Sequence, residues 1–284
     1  MKQFFKAHAI WIGLLAVLLG CMLCPSQADA KTKTYQTQDN YYGGGSCSVV
    51  ISKNKVYYSI TETGKIFCYD IKTKKTKTIA KTNGKGFYRL KKKGNYLYAI
   101  YDNHSGSDGS DRYIVRVSIK SGKKTTLAKG DNYVLAGKKI YYNKTKFIKS
   151  GSYGYEQSAG IYSMTLSGKK KKREKSVTFN NHRYSKTPIK NSKGSVATRG
   201  YSKNGYYFSK SLWFTTSKGK ATEIYNMYKD KNASNYGNIE YFTLQGDYIV
   251  YKKHDIYSNA KLVLVKTNGK GERVIYSAPS VSGW

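Results

Sequence analysis

One segment recurs five times along the 284-residue chain, and this repeat constrains the fold more than any single motif. Its copies align on Ile66, Ile114, Ile161, Leu212 and Leu262, with steps of 48, 47, 51 and 50 residues. Self-similarity at a fixed period of this size is the sequence signature of solenoids, propellers and related arrays. Each unit must therefore bury its apolar surface against neighbouring units of the same kind.

Each copy belongs to a unit of four short strands separated by turn residues. A hairpin turn and an aromatic strand precede the aligned segment, as at residues 56–58, 140–142 and 206–208, with Gly94 and Gly246 at two of the turns. A further short strand comes before that turn, and one more follows the aligned segment. Units of four strands and 40 to 50 residues, repeated around a ring, are typical of β-propeller blades.

We therefore predict an all-β fold, a β-propeller of about five four-stranded blades with a period of about 49 residues. A six-bladed ring remains an open alternative. Residues 46–284 are expected to form this single domain, and residues 31–45 either a flexible leader or a strand that closes the ring on the last blade. A solenoid of Tyr-rich hairpins and a β-sandwich are weaker alternatives, because neither explains the period.

The first 30 residues are typical of a removable export signal. Two lysines precede the apolar segment 10–19, and Ala28 and Ala30 have the small side chains that signal peptidases recognise. We expect a secreted chain that begins near Lys31. No later apolar run approaches the roughly 18 residues of a membrane helix, so no transmembrane segment is expected after cleavage.

The cysteines leave two questions open. Residues 18–21 (LLGC) resemble a lipoprotein signal, in which Cys21 would be acylated and anchor the chain outside the cell. After cleavage at Lys31 only Cys47 and Cys68 remain, which are too few for a disulfide framework or a zinc site. They either form one disulfide or remain as two buried thiols.

The recurring order of turn, aromatic strand, short loop and Ile-aromatic-x-x-x-Ile-x-x-Gly strand resembles the YWTD-type propeller repeat of the low-density-lipoprotein receptor class. It is similar in character to secreted propeller proteins of Firmicutes. The resemblance covers residues 46–278, although the YWTD tetrapeptide itself is absent and residues 56–58 and 140–142 are its nearest matches. It implies a propeller fold with an extracellular binding or scaffolding role, usually with six blades, and it carries over no catalytic residue.

Clusters of lysine give the chain a net charge of +35, from 51 Lys and Arg against 16 Asp and Glu. Most clusters fall in polar turns that would share one rim of a propeller, where their positive fields add. We predict that they bind an anionic cell-wall polymer, either teichoic acid or acidic polysaccharide. Specific nucleic-acid recognition is not expected, because no helix-turn-helix, RRM or zinc signature occurs. The predicted polyanion-binding residues are Lys72, Lys74, Lys75, Lys77, Lys91, Lys92, Lys93, Lys123, Lys124, Lys169, Lys170, Lys171, Lys172 and Arg173.

The loops between the second and third strands vary in length and would all emerge on one face, where propellers commonly bind ligands. A further long insertion, residues 175–204, is expected between blades 3 and 4. Tyr153, Tyr155 and Trp213 are the predicted residues of this ligand face, which would recognise a protein or a glycan. No metal site or cofactor is predicted. The weak cation candidates are Asp102, Asp108 and Asp111, whose spacing does not match an EF-hand loop.

Catalytic signatures are absent from the sequence. There is no G-x-S-x-G elbow and no H-E-x-x-H motif. The histidines outside the signal are His104, His182 and His254. His254 stands beside Asp255, which leaves a dyad or a metal pair across the ring open, but a lone histidine of this kind is more typical of a protein surface. The carboxylates considered for a paired-acid glycosidase site are Asp108, Glu156 and Asp230. We predict a non-catalytic binding module at the bacterial cell surface; a glycan-active enzyme on the same scaffold and a sensor anchored at Cys21 are the alternatives.

Overall fold

The computed structural model describes residues 32–39, 47–60, 63–82, 86–103, 111–150, 153–183, 188–203, 206–230, 239, 241–254 and 260–278. These residues form strands and one short 3-10 helix, Met227–Lys229. Within these ranges, no helix has the length and apolar character needed to cross a membrane. The prediction of an all-β propeller is confirmed.

Twenty strands form five antiparallel sheets, blades 1 to 5, in which each strand pairs with the next along the chain. Blade 1 contains β2 (Cys47–Ser52), β3 (Lys55–Ile60), β4 (Lys65–Asp70) and β5 (Thr76–Lys81); blade 2 contains β6 (Phe87–Lys93), β7 (Tyr96–Asp102), β8 (Arg112–Ser118) and β9 (Lys124–Lys129). Blade 3 contains β10 (Asn132–Ala136), β11 (Lys139–Ser150), β12 (Tyr153–Thr165) and β13 (Lys172–Arg173). Blade 4 contains β15 (Ile189–Asn191), β16 (Gly194–Lys203), β17 (Tyr206–Thr216) and β18 (Ala221–Asn226); blade 5 contains β19 (Tyr241–Gln245), β20 (Tyr248–His254), β21 (Ala260–Lys266) and β22 (Arg273–Ser277).

The inner strands are apolar on both faces because a neighbouring blade covers each face. Every residue of β3 and β7 after the first is buried, whereas most of the outer strand β5 is exposed. The repeat has a structural cause in four blades. The aligned residues Ile66, Ile114, Leu212 and Leu262 are each 0% exposed and lie where the register between the third and fourth strands shifts. A bulge at the same point of these four blades therefore favours the same buried aliphatic residue.

Buried side chains join the blades in the order 4, 5, 1, 2, 3. Blade 5 packs against blade 1, where the Tyr58 hydroxyl donates to the Ile275 carbonyl at 3.0 Å. The Gln245 side chain also accepts a hydrogen bond from the Ile51 amide at 2.6 Å. The last blade is thus locked to the first by both apolar packing and hydrogen bonds.

A two-stranded parallel sheet accompanies the five blades. It consists of β1 (Lys33–Asp39) and β14 (Val177–Arg183), and the Tyr35 ring lies 4.9 Å from that of Tyr141 on β11. The described part of the leader therefore pairs with β14, and the alternative that it pairs with the last blade is wrong. The described residues show five four-stranded sheets together with this smaller one.

Blades 3 and 4 depart from the predicted pattern. The segment 175–204, expected to be one long insertion, contains β14, β15 and β16. Residues 206–208, predicted as the second strand of blade 4, belong to the third strand, β17, and β16 is the second strand. In blade 3 the fourth strand is only two residues long, since the chain leaves this blade to pair with β1.

The structure excludes the disulfide between Cys47 and Cys68. Cys47 lies on β2 opposite Ile60, and Cys68 lies on β4 opposite Tyr57, so that β3 separates them. Two interstrand spacings of about 4.8 Å already exceed the roughly 7 Å between Cα atoms that a disulfide tolerates. Cys68 is a free, buried thiol, and burial raises its pKa.

Candidate functional site: a turn face lined by lysines

Each blade has two chemically different ends. The turns that follow the first and third strands lie at one end, because successive antiparallel strands reverse direction. A backbone hydrogen bond joins these two turns in four blades: the amides of Ile71, Ile119, Ser217 and Thr267 donate to the carbonyls of Asn54, Asn95, Lys193 and Asp247 at 2.8 to 3.0 Å. We call this end the turn face and the end with the connections between second and third strands the loop face.

The turn after the third strand has the same hydrogen-bonding pattern in all five blades, although it is one residue longer in blades 1 and 2 than in blades 3 to 5. It is closed by a pair of backbone hydrogen bonds, such as Gly122 to Ser118 and Ser118 to Lys123 in blade 2. One residue has a positive φ, and it is Lys74, Gly122, Gly168, Gly219 or Gly269, with φ of 60 to 86°. The next residue is an exposed lysine in every blade. These five ring lysines are Lys75, Lys123, Lys169, Lys220 and Lys270.

Side chains in and beside the turns also satisfy backbone groups. In blade 1 the Asp70 carboxylate accepts hydrogen bonds from the amides of Lys72 and Thr73, both at 3.0 Å. The hydrogen bond from Thr73 is the main reason that the pKa of Asp70 lies below its usual value. Asp70 thus holds the backbone of a lysine turn in place.

The structure places all the predicted polyanion-binding residues on or beside the turn face, and most are exposed. Three of them, Lys91, Lys92 and Lys124, are half-buried. Burial lowers the pKa of Lys91 and Lys124, and the Lys124 ammonium lies 3.3 Å from the centre of the Tyr101 ring. These lysines contribute less to an outward-facing charge than their neighbours do.

The sequence analysis missed other exposed lysines on this face. They stand singly or in pairs and so form no cluster in the sequence. Some of them can be recognised from the sequence because they directly follow a turn glycine of the repeat, as Lys220 and Lys270 do. The missed residues are Lys53, Lys55, Lys120, Lys138, Lys139, Lys193, Lys218, Lys220, Lys266 and Lys270.

The loop face of blades 2 and 3 has a network of opposite charges. Lys129 Nζ lies 2.8 Å from Asp111 and 3.9 Å from Glu156, and Arg112 lies 3.4 Å from Asp102. Burial is the main cause of a raised pKa at Glu156. Each of these acids therefore has a basic neighbour on the same face.

This network bears on the weak cation candidates. Asp102 and Asp111 contact Arg112 and Lys129, respectively, and Asp108 lies outside the described residues. No group of three or more His, Cys, Asp or Glu side chains within the described ranges is arranged to hold a metal ion. The described residues thus offer no metal centre.

The predicted ligand-face residues are not brought together. Tyr155 is 53% exposed on the long β11–β12 hairpin of the loop face, and the side chain of Tyr153 lies outside the described part of the chain. Trp213 is half-buried on β17, nearer the turn face, where its Nε1 donates to Ser211 Oγ at 2.9 Å. The Arg199 guanidinium covers its ring at 4.2 Å.

The candidate catalytic carboxylates are also separate. Glu156 belongs to the loop face of blade 3, whereas Asp230 lies 2.8 Å from Lys253 near Tyr225, where blades 4 and 5 pack together. Cys21, His104 and Asp108 lie outside the described residues. The strands that carry His182 and His254 are described, but their side chains are not.

No protein-family model matches the sequence, and no curated protein matches it. Among solved structures it is similar to the tricorn protease (10% identity over 78% of this chain and 25% of that chain, TM-score 0.30). It is also similar to an oligogalacturonate lyase from Vibrio parahaemolyticus (9% identity, 83% and 67%, TM-score 0.31) and to a chain of a nidogen/laminin complex (12% identity, 75% and 75%, TM-score 0.29). The chain thus spans a quarter of the tricorn protease chain, and these likenesses concern the fold alone.

These similarities correct the prediction that the chain is not an enzyme. The similar structures include a protease and a lyase as well as a chain of a nidogen/laminin complex. Because one fold can host both catalysis and binding, the fold alone does not assign a non-catalytic role to this chain.

Proposed function

We propose that the turn face binds an anionic polymer and that the chain is a β-propeller binding module of the bacterial cell surface. The observation that carries this proposal is the ring of lysines, one exposed ammonium at the same point of the same turn in each of the five blades. A polymer with repeating negative charges fits this repeated set of ammonium groups, because the lysine of each turn can bind another unit of the polymer.

Two physical features support this assignment. The ring lysines extend from turns whose backbone is held by hydrogen bonds, so little main-chain freedom is lost when a ligand binds. A net charge of +35 also attracts polyanions, and binding releases their condensed counterions. The affinity should therefore come mainly from electrostatics.

The finer parts of the proposal rest on the sequence. The export signal would place the protein outside the cell, where teichoic acid and acidic polysaccharide are the available polymers. The loop face, with exposed Tyr155, would then be directed away from the wall and recognise a protein or glycan. A relationship to the YWTD-type propellers of the low-density-lipoprotein receptor class belongs to the same proposal.

The test is co-sedimentation of the chain from Lys31 to Trp284 with intact walls and with walls stripped of teichoic acid, between about 50 and 500 mM salt. One variant carries Lys123→Gln, Lys169→Gln and Lys220→Gln on the turn face. Its matched control loses the same charge from exposed loop-side lysines through Lys81→Gln, Lys144→Gln and Lys146→Gln. We expect the first variant to bind at least about tenfold more weakly and the control to lose much less.

Binding to intact walls that is equally reduced in both variants would show that only net charge matters. An affinity for walls that does not change with salt concentration would overturn the electrostatic mechanism. Loss of binding on stripping identifies the phosphate-containing wall polymer, and retention points to carboxylate polysaccharide.

A further inference from the structure

The turn face is not equally basic around the ring. Apart from the ring lysines, exposed cations crowd blades 1, 2 and 3, whereas blades 4 and 5 have few. In blades 1 to 3 the additional residues are Lys53, Lys55, Lys72, Lys74, Lys77, Lys93, Lys120, Lys138, Lys139, Lys170, Lys171, Lys172 and Arg173. In blades 4 and 5 they are Lys190, Lys193, Lys218 and Lys266.

Acidic side chains deepen this asymmetry. In blades 4 and 5, Lys193 Nζ lies 2.5 Å from Asp247, and the exposed Glu272 lies in the last turn of blade 5. In the described turns of blades 1 to 3 no ion pair joins an acid to these lysines. The carboxylate of Asp70 is engaged with backbone amides instead.

The cations of blades 1, 2 and 3 form one continuous surface because these blades are neighbours. The turn of blade 2 touches blade 1, since a Cβ on Gly122 would lie 2.3 Å from the Ile79 carbonyl oxygen. The turn of blade 3 touches blade 2 in the same way, since a Cβ on Gly168 would lie 3.0 Å from Leu127 Cδ2. We call the exposed cations of these three blades, together with Lys75, Lys123 and Lys169, the basic arc.

We infer that the ligand of the turn face is a linear, flexible polyanion that lies along the basic arc and crosses three blades in succession. This inference rests on the proposed function and specifies its ligand class. A compact anion can contact the cations of only one or two neighbouring turns. Once one unit of a linear polymer is bound, its next units bind neighbouring lysines intramolecularly. The affinity of the polymer therefore rises with its length until the polymer spans the arc.

The probes are pyrophosphate, tripolyphosphate and inorganic polyphosphates of about 15, 45 and 100 units, measured by calorimetry at fixed salt. We expect the two short anions to bind weakly and the affinity to rise steeply with chain length. Once the polymer is long enough to span the basic arc, the affinity per binding site should stop rising. Hyaluronate oligosaccharides of matched charge form a second series. Tighter binding of the phosphate series would indicate a phosphate-containing polymer, and tighter binding of the other a carboxylate one.

Two triple variants locate the ligand. The arc variant carries Lys72→Gln, Lys120→Gln and Lys171→Gln, one substitution in each of blades 1 to 3. Its control carries Lys190→Gln, Lys218→Gln and Lys266→Gln in blades 4 and 5, spares the ring lysines and removes the same charge. For the longest polyphosphate we expect the arc variant to bind about tenfold more weakly and the control less than about threefold.

The outcomes separate this inference from the proposed function. If the unmodified chain binds neither series at any length, the polyanion function itself fails. If long chains bind but both triple variants lose affinity equally, the ring binds polyanions without a preferred path and the arc is wrong. If pyrophosphate binds as tightly as the longest polyphosphate, the ligand is compact and the linear polymer is wrong.

Discussion

The two faces of the propeller use the same strands in opposite ways. On the turn face, five connections share one pattern of backbone hydrogen bonds, and their lysines extend into solvent. On the loop face of blades 2 and 3, basic side chains such as Arg112 and Lys129 are engaged with acids. The same residue types thus contribute to a surface charge on one face and to local structure on the other.

The cause of this difference is the length of the connections. A tight turn is fixed by backbone hydrogen bonds, a positive-φ residue and short polar side chains such as that of Asp70, so its lysine side chains are not needed to hold it. Long connections lack that constraint, and side chains such as Asp102, Asp111 and Glu156 make ordering contacts instead. We therefore expect substitutions of charged residues to affect binding on the turn face and stability on the loop face.

The largest expected effect concerns the turn glycines. Gly122 has a φ of +71°, and a Cβ there would lie 2.3 Å from the Ile79 carbonyl of blade 1. Gly219 occupies the same turn position with a φ of +86°, but a Cβ placed there would have no atom of another residue within 4 Å apart from its chain neighbours. We expect Gly122→Ala to lower the free energy of unfolding by about 2 to 4 kcal/mol and Gly219→Ala by about 1 to 2 kcal/mol. Urea denaturation measures both free energies of unfolding. Equal losses for the two variants would show that the backbone at the contact between blades 1 and 2 shifts at little cost.

A smaller effect compares one lysine from each face. Lys129→Met on the loop face removes the cation beside Asp111 and the largely buried Glu156, and we expect a loss of about 1 to 2 kcal/mol in unfolding free energy. Lys123→Met on the turn face removes an exposed charge without such partners and should change stability by less than about 0.5 kcal/mol. Chemical denaturation of both variants at one pH provides the measurement. A turn-face loss as large as the loop-face loss would contradict the comparison.

The smallest effect is in the pH dependence of two glutamates. Burial raises the pKa of Glu156, so its contribution to stability is full below about pH 4.5 and is lost as the pH rises through the higher folded value. Hydrogen bonds from Lys229 and Asn226 lower the pKa of Glu223, whose contribution is present above about pH 4.5 and is lost as the pH falls. NMR titration of the side-chain carboxyl carbons, assigned with Glu156→Gln and Glu223→Gln, should find the Glu156 midpoint above that of Glu223. The reverse order would disprove the assigned environments.

The sequence predicted blades 1, 2 and 5 well because their turn residues and buried aliphatic positions are local signals. It failed in blade 4 because residues 206–208 have the aromatic character of a second strand, yet the β16–β17 hairpin extends past a register shift at Arg199 and includes them in the third. It also did not predict the partner of β1, since β14 is far away in the chain and no local pattern encodes that pairing.

The candidate site was predictable only in part. Lys75, Lys123 and Lys169 belong to dense clusters and were identified, whereas Lys220 and Lys270 are equivalent in space but not clustered in the sequence. Lys91 and Lys124 belong to clusters too, but their positions at the ends of strands bury part of each side chain. Position within the repeat is therefore a better guide to this surface than the local density of lysine.

The parallel pairing of β1 with β14 joins residues 144 positions apart, and the contact of blade 1 with blade 5 joins residues 192 apart. Contacts so distant in sequence raise the contact order, and the search for them slows folding. Neither can form until most of the chain is available, so early intermediates expose the apolar faces of blades 1 and 5. The same ring that protects its sheets when complete is therefore most prone to aggregate just before it closes.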